Sequence, residues 1–521
     1  MCCNYKALRA ASAGLLLTLG ACATAPGTPV GDSGPDPYTE KLSEVFNVGY
    51  SRILSRYIDS LQAGDLAVSG LYGLVTIDPT IEVDTGTPKK VRIRRPMGEE
   101  FVYDRPLDGD LAGWVAITVD AVKELRLDGE MHEVQRTERV FQATFDAAME
   151  SLDRYSRYYG ADEARRRRAE RGGFGGIGIK FRAEQEWIVV VSVQPESPAE
   201  RVGLKAGDRI LAVNGEEVTD WTRDRIVDTI RGPVGSSLEL RVANDIGSQR
   251  IVELRREQIV SPTVVYSRMG DVASIQLTGF RVDTANRLED AVRRAKQEIG
   301  SGMRGIILDM RNNPGGLLDQ SVRVSDLFLD HGRIVSAKGR HPSSLQSFEA
   351  HDGDIADGLP IIVVVDGRSA SAAEIVASAL QDAGRAVVIG ATSYGKGTVQ
   401  NVIDLPNDGE ISLTWARFHA PSGYALQHLG VMPTVCTSAY DHDAPELLRV
   451  AGGRRQEIAR RMVDWRLVDV ADEEGRQGLR EFCPSVRLDR NFEIDVAIRL
   501  LDDRVAYLRA LDTSATTLAG H

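Results

Sequence analysis

Two serines alternate with alanines in "DGRSASAAEI", Asp366–Ile375, directly after the apolar run "IIVVV". A buried strand that turns into a helix here would aim the first unpaired N–H groups of the helix, and the positive end of its dipole, at the turn. Small neighbours let a substrate backbone approach, so a serine at this place has donors suited to an oxyanion. The plainer alternative is that Ser369 or Ser371 caps the helix. No histidine lies within 15 residues of Ser371 on either side, so a nucleophilic serine needs a different base.

The second stretch is "SYGKGTVQ", Ser393–Gln400, which follows the apolar run "AVVIG". Lys396 sits between Gly395 and Gly397, in a tight loop that lets its side chain turn inward. A neutral lysine can take the proton of a serine. Neutrality at pH 7 needs its pKa to fall from about 10.4 to near 7, a differential solvation of about 4 to 5 kcal/mol that burial can impose. Gln400 shares a face with Lys396 in either a strand or a helical turn. It would orient the ammonium without adding a charge that raises the pKa. A surface Gly-Lys-Gly turn is the alternative. The third stretch, "DMRNNPGGLLD", places Gly315 and Gly316 where their N–H groups, with that of Ala372, could form the oxyanion site. It lacks the Gly-Lys-Ser/Thr ending of a phosphate-binding loop. The eight histidines are scattered and no H-E-x-x-H or paired Cys/His spacing occurs, so metal catalysis is not expected, and a serine–lysine site needs no cofactor.

These stretches need a scaffold. From about residue 259 to 436, strands alternate with helices ("VASIQLTGF", "RLEDAVRRAKQEI", "GIILDMR", "SAAEIVASALQDA"), which argues for an α/β layer core. Residues 172–258 carry Gly-rich turns and β-branched runs with one or two helices, the pattern of a compact β-sandwich-like domain. Residues 38–165 read as mainly helical with short strands near the middle, and 437–521 as helical again, so the chain is multidomain α+β. The run Arg165–Arg168, set among Asp162, Glu163 and Glu170, reads as a solvated helix face.

"SASAAEI", then "GKGTVQ" with Lys396 25 positions after Ser371, following "RNNPGG", resembles the carboxyl-terminal processing (tail-specific) proteases, serine peptidases of family S41. "FGGIGI", "SPAERVGLKAGDRILAVNGEEV" and "IRGPVGS" are similar to the embedded PDZ domain of that family. The resemblance covers roughly residues 140 to 436. It implies a crotonase- or ClpP-like core around a PDZ module, with Ser371 as nucleophile, Lys396 as general base and Gln400 orienting the lysine. Gly315 or Gly316 and Ala372 would donate to the oxyanion, while Gly176, Ile177, Gly178 and Ile179 would bind the C-terminal carboxylate of a polypeptide substrate. Arg231 in "IRGP" is a candidate regulatory latch or a simple surface arginine. The stretch from about 66 to 135 matches no pattern, and the tail after 437 matches weakly; both are places for an envelope adaptor protein or self-assembly into a homo-oligomer. Two rival readings remain: a PDZ scaffold with an inactive protease core, and a crotonase-type acyl-CoA enzyme.

The ends bear on location. "MCCNYKALRA" and the short apolar "ASAGLLLTLG" look like a secretory signal over residues 1–21. "LGAC" at Leu19–Cys22 resembles a bacterial lipobox with Cys22 as the lipid-modified residue, against plain cleavage at an A-x-A site. Residues 22–37 then read as a flexible tether. The expectation is a periplasmic protein, lipid-anchored to an envelope membrane. Cys436 and Cys483 remain as one pair, expected to form a disulfide in an oxidising compartment rather than stay as thiols. A net charge of −12 argues against a nucleic-acid partner.

Overall fold

A computed structural model describes residues 36–95, 100–125, 133–260, 262–439, 443–488 and 491–515. Cys22 and the signal-like segment lie outside the described residues. No helix among the described residues is long and apolar enough to cross a membrane.

The centre is a six-stranded sheet in the order Val264–Met269, Val272–Leu277, Gly305–Asp309, Ile361–Val365, Val387–Gly390 and Val435–Cys436. The first pair is antiparallel and every later pair parallel. A parallel sheet is covered on both faces, which is why "GIILD" and "IIVVV" show no polar alternation. One face packs on the helices Thr284–Ile299, Leu318–Asp326 and Ala372–Asp382 through Leu288, Val324, Ile375 and their neighbours. The other packs on C-terminal helices: Ile307, Ile362, Val364 and Ile389 meet Leu447, Val496, Leu500 and Tyr507. The helices Ala444–Gly453, Phe492–Asp502 and Arg504–Ala515 therefore form the second wall of this sheet. The disulfide Cys436–Cys483 ties it down.

A second sheet joins Gln346–Glu349, Arg333–Lys338, Glu410–His419 and Thr398–Asp404, with Arg157–Tyr159 paired to the start of Glu410–His419. The helices Pro37–Arg56, Ala63–Gly73, Leu111–Glu124 and Glu133–Glu150 close over it with Phe46, Tyr50, Phe141 and Phe145 sharing a core with Ile411 and Leu413. The three short strands Glu82–Asp84, Lys90–Arg94 and Glu100–Asp104 form a separate antiparallel sheet.

Residues 179–255 form one curled antiparallel sheet over Ile188, Val190, Leu238, Leu240 and Val242, with the helices Pro198–Arg201 and Arg223–Ile230. Its entrance, Phe174–Gly176, and its exit, Glu257–Ile259, pair with each other as a two-stranded ladder. The helix Ala161–Gly172 leads into it and corrects one expectation. Only Arg165 and Arg166 of the arginine run face solvent. Arg167 stacks on Tyr159 at 3.9 Å, and Arg168 bonds Asp404 and the Asp408 carbonyl. Arg171 makes a bidentate pair, 2.6 and 3.0 Å, with the fully buried Glu410. The helix packs against a sheet rather than standing in water, so its cations meet carboxylates.

Candidate active site

The strand Ile361–Val365 ends in a turn built by Asp366, whose Oδ1 accepts the N–H groups of Asn312, Arg368 and Ser369 at 3.0 to 3.1 Å. Ser369 is fully buried and donates its hydroxyl to the Met310 carbonyl at 2.8 Å. It is a structural serine that holds the turn together. Ser371 stands at the N-cap position of Ala372–Asp382 with φ 56° and ψ −114°. An ordinary cap lies in the β region; an L-residue at positive φ away from the left-handed well stores about 1 to 3 kcal/mol of strain. The surrounding contacts hold that strain.

The strongest of them went unnoticed in the sequence. Glu374, three residues into the helix and fully buried, accepts four hydrogen bonds. Its Oε2 takes the Ser371 N–H at 2.7 Å and the Lys396 N–H at 2.9 Å. Its Oε1 takes the Gly395 N–H at 2.6 Å and the Ser393 hydroxyl at 2.5 Å. One carboxylate oxygen thus joins the serine backbone to the lysine backbone. Burial raises the Glu374 carboxyl above its usual range, and the four donors act against that rise. The signal was present as S-x-x-E, the capping-box spacing.

Lys396 is carried on the loop between Val387–Gly390 and Thr398–Asp404. Its amine makes no hydrogen bond or ion pair among the described residues, and Nζ lies 5.4 Å from the Tyr155 ring centre. Burial holds its pKa below the ordinary lysine value, and the Arg167 guanidinium adds to the depression; Glu374 and Asp153 oppose it. Tyr155 was also missed in the sequence. It is placed by Asp153, which accepts the Tyr155 N–H at 2.6 Å and the Thr414 hydroxyl at 3.1 Å. Among the described residues no hydrogen bond joins the Ser371 hydroxyl to the Lys396 amine.

Two sequence expectations change. Gln400 does not hold Lys396: its amide nitrogen donates to Thr398 at 2.8 Å and to Thr414 at 3.4 Å. A bulge between Val399 and Gln400 breaks the alternation, and Lys396 precedes the strand, so the shared-face argument fails. Gly315 cannot offer its N–H to an oxyanion, because that group donates to Asn313 Oδ1 at 2.9 Å. Gly315 matters as a spacer: at φ 97°, an added Cβ would fall 2.9 Å from both the Ala372 nitrogen and the Ser371 Cβ. The N–H groups of Gly316 and Ala372 have no backbone partner among the described residues.

In the inserted module, Gly176, Ile177, Gly178 and Ile179 form the turn into the edge strand Ile179–Ala183. Gly178 has φ 81°, and an added Cβ would lie 2.3 Å from the Ser197 Cβ. Arg231 caps the helix Arg223–Ile230 and lies 3.8 Å over the Phe174 ring, beside that turn.

The segments that carry this geometry match known families. Residues 271–437 match Peptidase family S41, and residues 189–244 match a PDZ domain. Together they define a serine-type peptidase with a PDZ module. The chain is 37% identical over 325 residues to a carboxy-terminal-processing protease of Bartonella bacilliformis, covering 60% of this chain and 75% of that one. It is 31% identical over 318 residues to a probable CtpA-like serine protease of Staphylococcus aureus, covering 59% of this chain and 62% of that one. The photosystem II D1 C-terminal processing protease structure aligns over 71% of this chain and 92% of its own, with 23% identity and a TM-score of 0.36. The chain belongs to the carboxy-terminal-processing proteases of peptidase family S41.

Two substitutions test the turn. Ser371→Gly is expected to unfold at higher denaturant than Ser371→Ala, by about 1 kcal/mol, because only glycine relieves the positive φ. Glu374→Gln is expected to lose about 2 to 3 kcal/mol of stability, since an amide cannot accept all four donors. Its peptidase rate should fall at least about tenfold as the two loops lose register.

Proposed function

We propose that this chain is a periplasmic, lipid-anchored endopeptidase in which Ser371 attacks and Lys396 is the base. The observation that carries the proposal is the shared Glu374 oxygen, which fixes both backbones while the lysine side chain is half-buried and its amine has no ion-pair partner among the described residues. Lys396 takes the Ser371 proton as Oγ adds to the scissile carbonyl; the N–H groups of Gly316 and Ala372 receive the oxyanion. The tetrahedral intermediate collapses to an acyl-enzyme, the lysine ammonium gives its proton to the leaving amine, and water then releases the acyl group. Gln400 braces Thr398 and Thr414 around the lysine loop.

PDZ domains bind peptide C-termini by adding the peptide as a strand to a sheet edge. In this reading residues Gly176–Ile179 take the terminal carboxylate of a polypeptide substrate and Ile179–Ala183 supplies the edge. Arg231 flanks the same turn as the regulatory candidate. The lipobox-like "LGAC" with Cys22 supports the anchor, and the Cys436–Cys483 bridge supports an oxidising compartment.

Cleavage of casein by the wild type, and its loss in Ser371→Ala and in Lys396→Ala, is the expected result. Undiminished cleavage by either variant refutes the assignment. The basic form of Lys396 is the active one, so kcat/KM should rise with pH through a pKa below that of an ordinary lysine. Among the groups facing the amine, Arg167 depresses it, Glu374 and Asp153 raise it, and Tyr155 lies beneath it. Arg167→Gln should therefore move the rising limb to higher pH, measured from pH-rate profiles.

A further inference from the structure

The catalytic loop is gripped from behind by residues that none of the motifs contains. The helix Glu473–Arg480 lies in the C-terminal region and turns two arginines inward. Arg476 is fully buried and donates to the carbonyls of Ala425 and Gln427, the latter at 2.6 Å. Arg480 donates through Nη2 to the Ser393 carbonyl at 2.9 Å and through Nη1 to the Leu429 carbonyl. These carbonyls belong to the two segments that hold Lys396. Gly395 accepts the His428 N–H at 2.9 Å, and Gly397 donates to Gln427 Oε1 at 3.0 Å. Ser393 in turn gives its hydroxyl to Glu374 and accepts the Val431 N–H at 2.8 Å. Arg480 is thus a two-pronged tie between the lysine loop and the segment beneath it.

The disulfide anchors that tie. Cys483 follows Arg480 by three residues and is bonded to Cys436. Cys436 pairs with Gly390, the last residue of the strand from which the Ser393–Lys396 loop departs. Both ends of the connection therefore sit within a few residues of the base. Arginine suits the task because its planar fork reaches two carbonyls at once, which a lysine does less well.

We propose that Arg480 is a positioning residue for Lys396, and that the Cys436–Cys483 bond locks it in place, so that turnover depends on the oxidised state of this pair. The proposal rests on the serine–lysine reading above. A dithiol undoes the lock by exchange: two protein thiols form, and the reagent closes to its own cyclic disulfide. The C-terminal helices stay packed on the sheet, but the last turn carrying Arg480 loses its covalent stop.

The test uses full-length wild type, Arg480→Gln and Arg480→Lys, each oxidised or reduced with dithiothreitol and alkylated, with casein as substrate. Arg480→Gln is expected to lower kcat at least tenfold with KM within twofold, and Arg480→Lys to recover at least half of the lost rate. Reduction of the wild type should lower kcat at least fivefold. Reduction of Arg480→Gln should add less than twofold, because both changes release the same tie. An unchanged kcat in Arg480→Gln, equal losses in the Gln and Lys variants, or full multiplication of the two effects would overturn the proposal. If Arg480→Gln does not fold, the reduced wild type decides alone, and an unchanged kcat after verified reduction rejects the lock. Inactive Ser371→Ala and Lys396→Ala alongside a fully active Arg480→Gln would sink the tie while sparing the serine–lysine assignment. Activity in Ser371→Ala would sink that assignment instead.

Discussion

A carboxylate taken wholly out of water needs every lone pair engaged. Glu374 meets that demand with three backbone N–H groups and one hydroxyl, drawn from two loops about 20 residues apart in the chain. A missing donor would leave a desolvated anion underpaired, at a cost of several kcal/mol. The demand therefore runs outward: the loop from Ser393 to Lys396 must lie against the helix start at Ser371. The parallel strands Ile361–Val365 and Val387–Gly390 satisfy it, because neighbouring parallel strands end side by side and release their loops at the same edge.

The same carboxylate raises an electrostatic problem, since an anion near Lys396 favours the ammonium. Desolvation of the amine works the other way and is the larger influence, and Arg167 adds to it from the helix that leads into the PDZ module. Glu374 also directs its oxygens at backbone N–H groups rather than at the amine. Its charge is saturated locally, so it organises the loop while the amine stays without an ion pair among the described residues. The strain at Ser371 belongs to the same arrangement: the backbone N–H of this awkward residue is one of the four donors that Glu374 holds.

Much of this was legible in the residues. Small side chains around Ser371, glycines on both sides of Lys396 and the unbroken apolar runs pointed to the turn, the loop and a parallel sheet, because each is a local requirement. What failed depended on partners distant in sequence. Gln400 bonds Thr398 and Thr414 rather than Lys396, where a bulge at Val399 breaks the alternation of its strand. Between Gly315 and Gly316, the Asn313 side chain captures the N–H of Gly315 and leaves that of Gly316. Local charge makes the arginine run look like a solvated face, because Asp404, Asp408 and Glu410, which meet Arg168, lie more than 230 residues further on. The terminal helices were visible by periodicity, but nothing in an amphipathic pattern tells which carbonyls Arg476 and Arg480 will reach.

The ladder between Phe174–Gly176 and Glu257–Ile259 has a consequence for how such a chain diversifies. The polypeptide enters and leaves the peptide-binding module at facing positions, so the module is a loop on the peptidase, with its own apolar core. Such an appendage is exchangeable: a lineage can reshape which tails are recognised, or lengthen and shorten the insert, while the hydrolytic machinery stays untouched.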